Sequence, residues 1–247
     1  MLSLNNRGEK MSDNNLNNAE EKSNGVKKFF EVFGNIFGLN ICFVIGCLPI
    51  ITIGASITAL YSMCIRLQEN EEETVLVGFI HEFKRSFKQA TLTWLLLILA
   101  LVVMGAEYLV ISLFSGIIVI VYTAVLVIEV LFVALTLPFL FPLIARYNNG
   151  FLPTIFNAFL LSVGYFGSWI KITVAWVAPF MFFVVMEPIV FIYTWYLWLM
   201  FVFALIAYGT SYTIRKVFRI NEEKISNANA EANDQAVEIE NDEDNNN

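Results

Sequence analysis

Between Phe29 and Phe218 the chain is a single hydrophobic stretch, interrupted only where Lys and Arg cluster. A bilayer's hydrocarbon core is about 30 Å thick, and one helical crossing of it takes about 20 mostly apolar residues. Trp94 to Phe114 and Gly116 to Leu143 meet that requirement. Composition agrees: 57% of residues are hydrophobic and 15% charged, where soluble domains carry about 25% charged. The pattern predicts an all-α membrane protein, a polytopic bundle of about six membrane segments with interfacial amphipathic helices.

The net charge of -7 belongs to the end of the chain, because residues 221–247 carry nine acids against Lys224 alone. Residues 27–220 hold eleven Lys and Arg, nine Glu and no Asp, a slightly basic body suited to a face on anionic lipid. Three regions are therefore expected: a disordered polar segment over 1–26, a transmembrane bundle over 27–220, and a disordered acidic, Asn-rich tail over 221–247. No apolar h-region lies near the start, so insertion is expected to rely on the first membrane helix. Arg7-Gly8-Glu9-Lys10 can be encoded by purine-rich codons resembling a bacterial ribosome-binding site. Translation is accordingly expected to begin at Met11, leaving residues 1–10 outside the native protein.

Pro49 should end the first segment, Phe29 to Leu48, because it lacks a backbone donor and restricts its predecessor. The second runs from Thr52, a plausible N-cap, to Leu67; its roughly 24 Å of helix is short for a crossing and compatible with a re-entrant hairpin. Gly54 would let backbones approach closely. After the acidic turn Gln68 to Thr74, Leu76, Phe79, Ile80, Phe83 and Phe87 recur at helical spacing, with Lys84, Arg85 and Lys88 on other faces. That is the pattern of a helix in the headgroup plane. Segment three spans Thr91 to Phe114, and Ser115-Gly116 turns into segment four, which Pro138 and Pro142 should kink before Arg146. A second interfacial stretch is expected around Pro153 to Ser168. Segments five and six cover Trp169 to Met186 and Ile189 to Thr213, joined at Glu187-Pro188. Leu48-Pro49 and Leu137-Pro138 form a faint internal echo.

With six segments, Lys27 and Lys28, Arg66, Lys84, Arg85 and Lys88, Arg146 and Lys171, and Arg215, Lys216 and Arg219 all fall on one side. By the positive-inside rule that side is the cytoplasm, which puts both termini inside. Cys42, Cys47 and Cys64 lack paired ligand spacing and read as small buried hydrophobes. One His and a body without Asp offer little for a metal centre, so neither metal nor cofactor is expected.

Leu48-Pro49-Ile50-Ile51-Thr52-Ile53-Gly54, followed by Ala59-Leu60-Tyr61, resembles the YesL-like family of bacterial membrane proteins, a domain of unknown function. The resemblance continues through Phe83-Lys84-Arg85-Ser86-Phe87-Lys88-Gln89-Ala90-Thr91 with Trp94, and through Phe141-Pro142-Leu143 with Ala145-Arg146. It covers most of residues 30–215. It implies a small polytopic protein of the Gram-positive plasma membrane whose genes often neighbour carbohydrate ABC transporters. The long acidic tail departs from the family pattern.

Several residues are candidates for a role beyond packing. Glu129 falls near the middle of segment four, where an ionised carboxylate costs several kcal/mol. It is expected either to act as helix glue, neutral and bonded to Asn40, Thr173 or Tyr122, or to serve a proton or substrate path. Glu107 and Glu187 fall near the outer surface. Tyr193, Trp195, Tyr196 and Trp198 read as an interfacial belt, with sugar stacking as the functional alternative. Lys84, Arg85 and Lys88 suit anionic headgroups or a cytoplasmic partner. His81 and Glu82 read as a solvated face.

No G-x-x-x-x-G-K-[ST] loop, H-E-x-x-H helix or G-x-S-x-G elbow occurs, so the chain is expected not to be an enzyme. The expected role is an accessory or regulatory membrane component associated with carbohydrate uptake, with the lipid bilayer, a sugar ABC transporter or another membrane protein as partner and no nucleic acid. The alternative is a small stand-alone transporter or channel using Glu129 and the Pro49 to Gly54 break.

Overall fold

The computed structural model describes residues 27–28, 30–69, 74–147, 149–185, 193 and 196–245. Residues 1–26, the acidic turn at 70–73, Asn148, the Glu187-Pro188 junction and Trp195 lie outside them. The described chain is α-helical, with α1 (Phe30–Cys47), a 3₁₀ turn (Ile50–Thr52), α2 (Ile53–Gln68), α3 (Val75–Leu113), α4 (Ile117–Arg146), α5 (Phe151–Gly164) and α6 (Phe166–Val185). A π-helical turn (Trp198–Val202) then leads into α7 (Phe203–Asn245). Among the described residues there is no strand. Phe30–Cys47, Ile50–Gln68, Val75–Leu113 and Ile117–Arg146 are each long and apolar enough to cross a membrane. Phe151–Gly164 and Phe166–Met181 reach that standard together but bend by 103° between them. The chain is thus an all-α membrane bundle, and part of the expected sixth segment falls outside the described residues.

The helix α2 is the most enclosed of these spans. Gly54, Ala55, Ser56, Thr58, Ala59 and Ser62 are all buried, and their small side chains admit close neighbours. A Cβ on Gly54 would stand 2.5 Å from the Ala90 carbonyl oxygen and 2.6 Å from Trp94 Cβ. Glycine is therefore what lets α2 meet α3 backbone to backbone. At the other tight point, Gly116 turns α3 into α4 with φ +78°, a conformation that suits glycine.

The amphipathic stretch and the third membrane segment prove to be one continuous helix. Nothing from Val75 to Leu113 breaks the ladder of 39 residues, which is about 58 Å long and far exceeds a hydrocarbon core. Val75 to Ala90 is therefore the first half of α3 rather than a separate helix in the headgroup plane. Its enclosed face is also a different one: Gly78, Phe79, Glu82, Ser86 and Ala90 are buried, whereas Leu76, Ile80 and Phe87 are exposed. Hydrophobic spacing located the helix but not its inward side, because in a membrane apolar residues can face lipid.

In α4 the helix continues through Pro138 and Pro142. Proline at 138 removes the donor that would bond the Ala134 carbonyl, and the Trp169 indole donates to that oxygen at 3.1 Å. The Leu-Pro echo is only sequential: Leu48-Pro49 lies between helices, whereas Leu137-Pro138 lies within one.

The tail also differs from expectation. Helix α7 runs on to Asn245, exposed wherever its side chains are described beyond Lys224. An already formed helix avoids the nucleation penalty, and residues 221–245 contain neither Pro nor Gly.

Candidate functional site

Polar residues within apolar helices converge at one end of the bundle. On α2, Ser62 and Arg66 are four residues apart; on α3, Glu82 and Ser86 are as well, so each pair shares a helix face. Where these faces meet, the Glu82 side chain is only 1% exposed. An ionised carboxylate there requires opposite charge and hydrogen bonds to offset its desolvation. Arg66 Nη2 lies 2.9 Å from Glu82 Oε1 and Arg85 Nη2 lies 2.6 Å from Oε2. Ser62 Oγ donates to Oε2 at 2.8 Å, and His81 Nδ1 stands 3.4 Å from Oε1. Arg85 Nη2 also donates to the Ala145 carbonyl at 2.7 Å, joining α4 to the pair formed by α2 and α3.

A second carboxylate extends the cluster toward α7. Glu69 Oε1 lies 3.3 Å from Arg215 Nε and 3.9 Å from Arg146 Nη1. Arg146 engages both oxygens of Glu222 at 3.2 and 3.3 Å, and the Tyr147 hydroxyl donates to Glu222 as well. Gln68 bridges the same helices, donating to the Tyr208 carbonyl at 2.6 Å and accepting from Arg215 at 3.4 Å. Burial, with the Glu222 carboxylate as acceptor beside it, pushes the Tyr147 phenol well above its ordinary range. The phenol therefore remains a donor at neutral pH.

Two cavities open on this cluster. One of about 220 Å³ is lined by Ser62, Arg66, Glu69, Arg85 and Arg146; one of about 290 Å³ is lined by Glu69, Arg146, Tyr212, Arg215, Lys216 and Arg219. Glu69 and Arg146 border both.

The residues singled out in the sequence divide differently. Of the basic trio, only Arg85 turns into the cluster, while Lys84 and Lys88 are exposed. Glu82 corrects the expectation of a solvated face: it is the buried hub. In the helix break, Leu48 and Ile50 are exposed, and Thr52 makes no side-chain cap for α2. Its hydroxyl instead lies 2.7 and 2.8 Å from the Gly46 and Pro49 carbonyls and shares its one proton between them, and the Trp94 indole donates to the Ile50 carbonyl at 2.8 Å. Three carbonyls around the break, those of Gly46, Pro49 and Ile50, thus have side-chain donors within the chain.

Asn40 is fully buried, and its Oδ1 accepts from the Ala204 N–H at 2.8 Å. Ala204 is the second residue of α7, so Asn40 fastens α1 to the start of that helix. Glu129 borders a cavity of about 270 Å³ with Thr93 and Thr136. Its buried Oε2 has no hydrogen-bond partner among the described residues, so the expected bonds to Asn40, Thr173 or Tyr122 do not form at that atom. Glu107 Oε2 is likewise unpartnered there, and Glu187 lies outside the described residues. Tyr193 and Tyr196 are exposed; Trp195 and the side chain of Trp198 lie outside the described residues.

A legible signal for the site was the i,i+4 placement of Ser62 with Arg66 and Glu82 with Ser86. Reading hydrophobic spacing alone passed over it. A family model described as "Protein of unknown function, DUF624" matches residues 36–108, from α1 through most of α3. The match includes the helix break, Arg66, Glu69, Glu82 and Arg85. No curated protein and no solved structure matches the chain.

Proposed function

We propose that this membrane protein is a non-enzymatic accessory or regulatory component of a larger membrane assembly, engaging its partner at the end that carries the Glu82 and Glu69 cluster. The observation that carries this reading is how the helix break is satisfied. Transporters use interrupted helices because free backbone groups can bind solutes at membrane depth. Here Thr52 and Trp94 occupy the Gly46, Pro49 and Ile50 carbonyls. Glu129, for its part, shares its cavity with two threonines and otherwise apolar walls. A polar route through the bundle therefore has little support, whereas the charged end is preorganised by ion pairs among four helices.

The gathering of Arg66, Arg85, Arg146 and Arg215 at one end supports a cytoplasmic position for that end and for both termini, in a plasma membrane, through the positive-inside rule. Association with a carbohydrate transporter draws its support from the YesL-like resemblance. Affinity purification from gently solubilised membranes tests the proposal. A specific membrane partner should be recovered with the wild type and lost with the exposed-face change Lys84→Gln, Lys88→Gln. Recovery of none, together with proton or sugar flux through reconstituted protein that Glu129→Gln abolishes, would replace it with the stand-alone transporter.

A further inference from the structure

The 290 Å³ cavity at the charged end is lined by more hydrogen-bond donors than the described acceptors around it use. Each guanidinium has five N–H donors in a fixed fork. Arg146 and Arg215 share one Glu69 oxygen, and their contacts to it, 3.9 and 3.3 Å, are longer than a tight charge-assisted pair at about 2.8 Å. Arg219 meets Glu223 at 3.7 Å on an exposed surface, and Lys216 is exposed beside it. Among the described residues the 290 Å³ cavity is lined by four cations and one carboxylate, with Glu222 holding Arg146 from outside that lining. Through Glu69 and Arg146 it borders the second cavity, where Arg66 and Arg85 are held in place by Glu82.

We infer that this is a binding site for a phosphoryl group. A phosphate offers several acceptor oxygens and matches the arginine fork with paired hydrogen bonds. The pocket is the size of a headgroup, not of a folded partner. Glu69 keeps Arg146 and Arg215 apart and oriented; Lys216 and Arg219 close over the ligand from α7. The group arrives either on an anionic lipid or on a soluble phosphate compound, and the inference does not depend on the accessory role proposed above.

The full-length protein in nanodiscs distinguishes the two sources. In mixed phosphatidylcholine and phosphatidylglycerol, native mass spectrometry should show phosphatidylglycerol retained on the wild type. In phosphatidylcholine alone, inorganic pyrophosphate should raise the melting temperature if the ligand is soluble. Lys216→Gln with Arg219→Gln, two exposed positions, should weaken whichever response is seen by about tenfold, the worth of a lost charge-assisted bond. Lys84→Gln with Lys88→Gln, the same charge change on another face, should leave it intact. Arg215→Gln should abolish it, and its melting temperature without ligand shows whether the fold survived. Absence of both responses in the wild type, or equal weakening by the two double variants, overturns the site.

Discussion

Glu82 is the residue whose surroundings are most expensive to disturb. Glu82→Gln keeps the volume but leaves Arg66 and Arg85 facing a neutral amide. Removing one partner of a buried pair costs about 3–5 kcal/mol. Because Arg66 and Arg85 are 26% and 47% exposed and water can serve them, a loss of about 3 kcal/mol, the low end of that range, is expected. Thermal unfolding in detergent measures it, and a loss no larger than that of Lys84→Gln would contradict the hub. Gly54→Ala acts through sterics instead. The added Cβ meets the Ala90 backbone, which cannot rotate away, so α2 and α3 must separate. Overpacking of this kind costs about 1–3 kcal/mol, measurable in the same unfolding assay.

Among the elements, the short segment after α4 ties the bundle to α7 through Tyr147 and Glu222. The phenol's pKa is raised in the folded state, so its contribution is fully present below the ordinary value of about 10 and is lost as pH rises through the folded value. Melting temperature should therefore fall in the alkaline range, and Tyr147→Phe should fall less steeply there while being less stable at pH 7. Identical alkaline slopes in the two proteins would show that another group controls the loss. In α4, Trp169→Phe removes the donor to the Ala134 carbonyl. The bond lies on an exposed face of the bundle, where lipid offers the freed carbonyl no donor, so a destabilisation of about 1–3 kcal/mol is expected, and Pro138→Ala in the same background should recover part of it by restoring the helical donor.

At the scale of the whole molecule, the tail is not a separate appendage at its root. Glu222 bonds Arg146 and Tyr147, Lys224 lies 5.2 Å over the Tyr165 ring, and Ile225 borders a cavity with Phe218. Truncation after Ile225 should leave the melting temperature nearly unchanged. Truncation after Ile220 should lower it, because Arg146 then loses its two-point partner. If the two truncations behave alike, α7 makes no energetic contribution at that end.

The sequence by itself determined the membrane address, the helical class, the break at Leu48-Pro49 and the turn at Ser115-Gly116. Each follows from local chemistry: apolar runs of membrane length, a missing donor, a residue free of Cβ. Only the tertiary structure decided which side of α3 faces inward, because lipid and protein interior are equally apolar and hydrophobic spacing cannot distinguish them. Thr52 had the identity of a cap, but the direction of its hydroxyl depended on where α1 ended. Asn40 met the Ala204 N–H at the start of α7, more than 160 residues away, a pairing with no local signature. The ionic cluster was half legible, as polar pairs at helical spacing within α2 and α3. Its other half formed only where the end of α4 met the side of α7: Arg146 and Arg215 both reach Glu69, and Arg146 also holds Glu222.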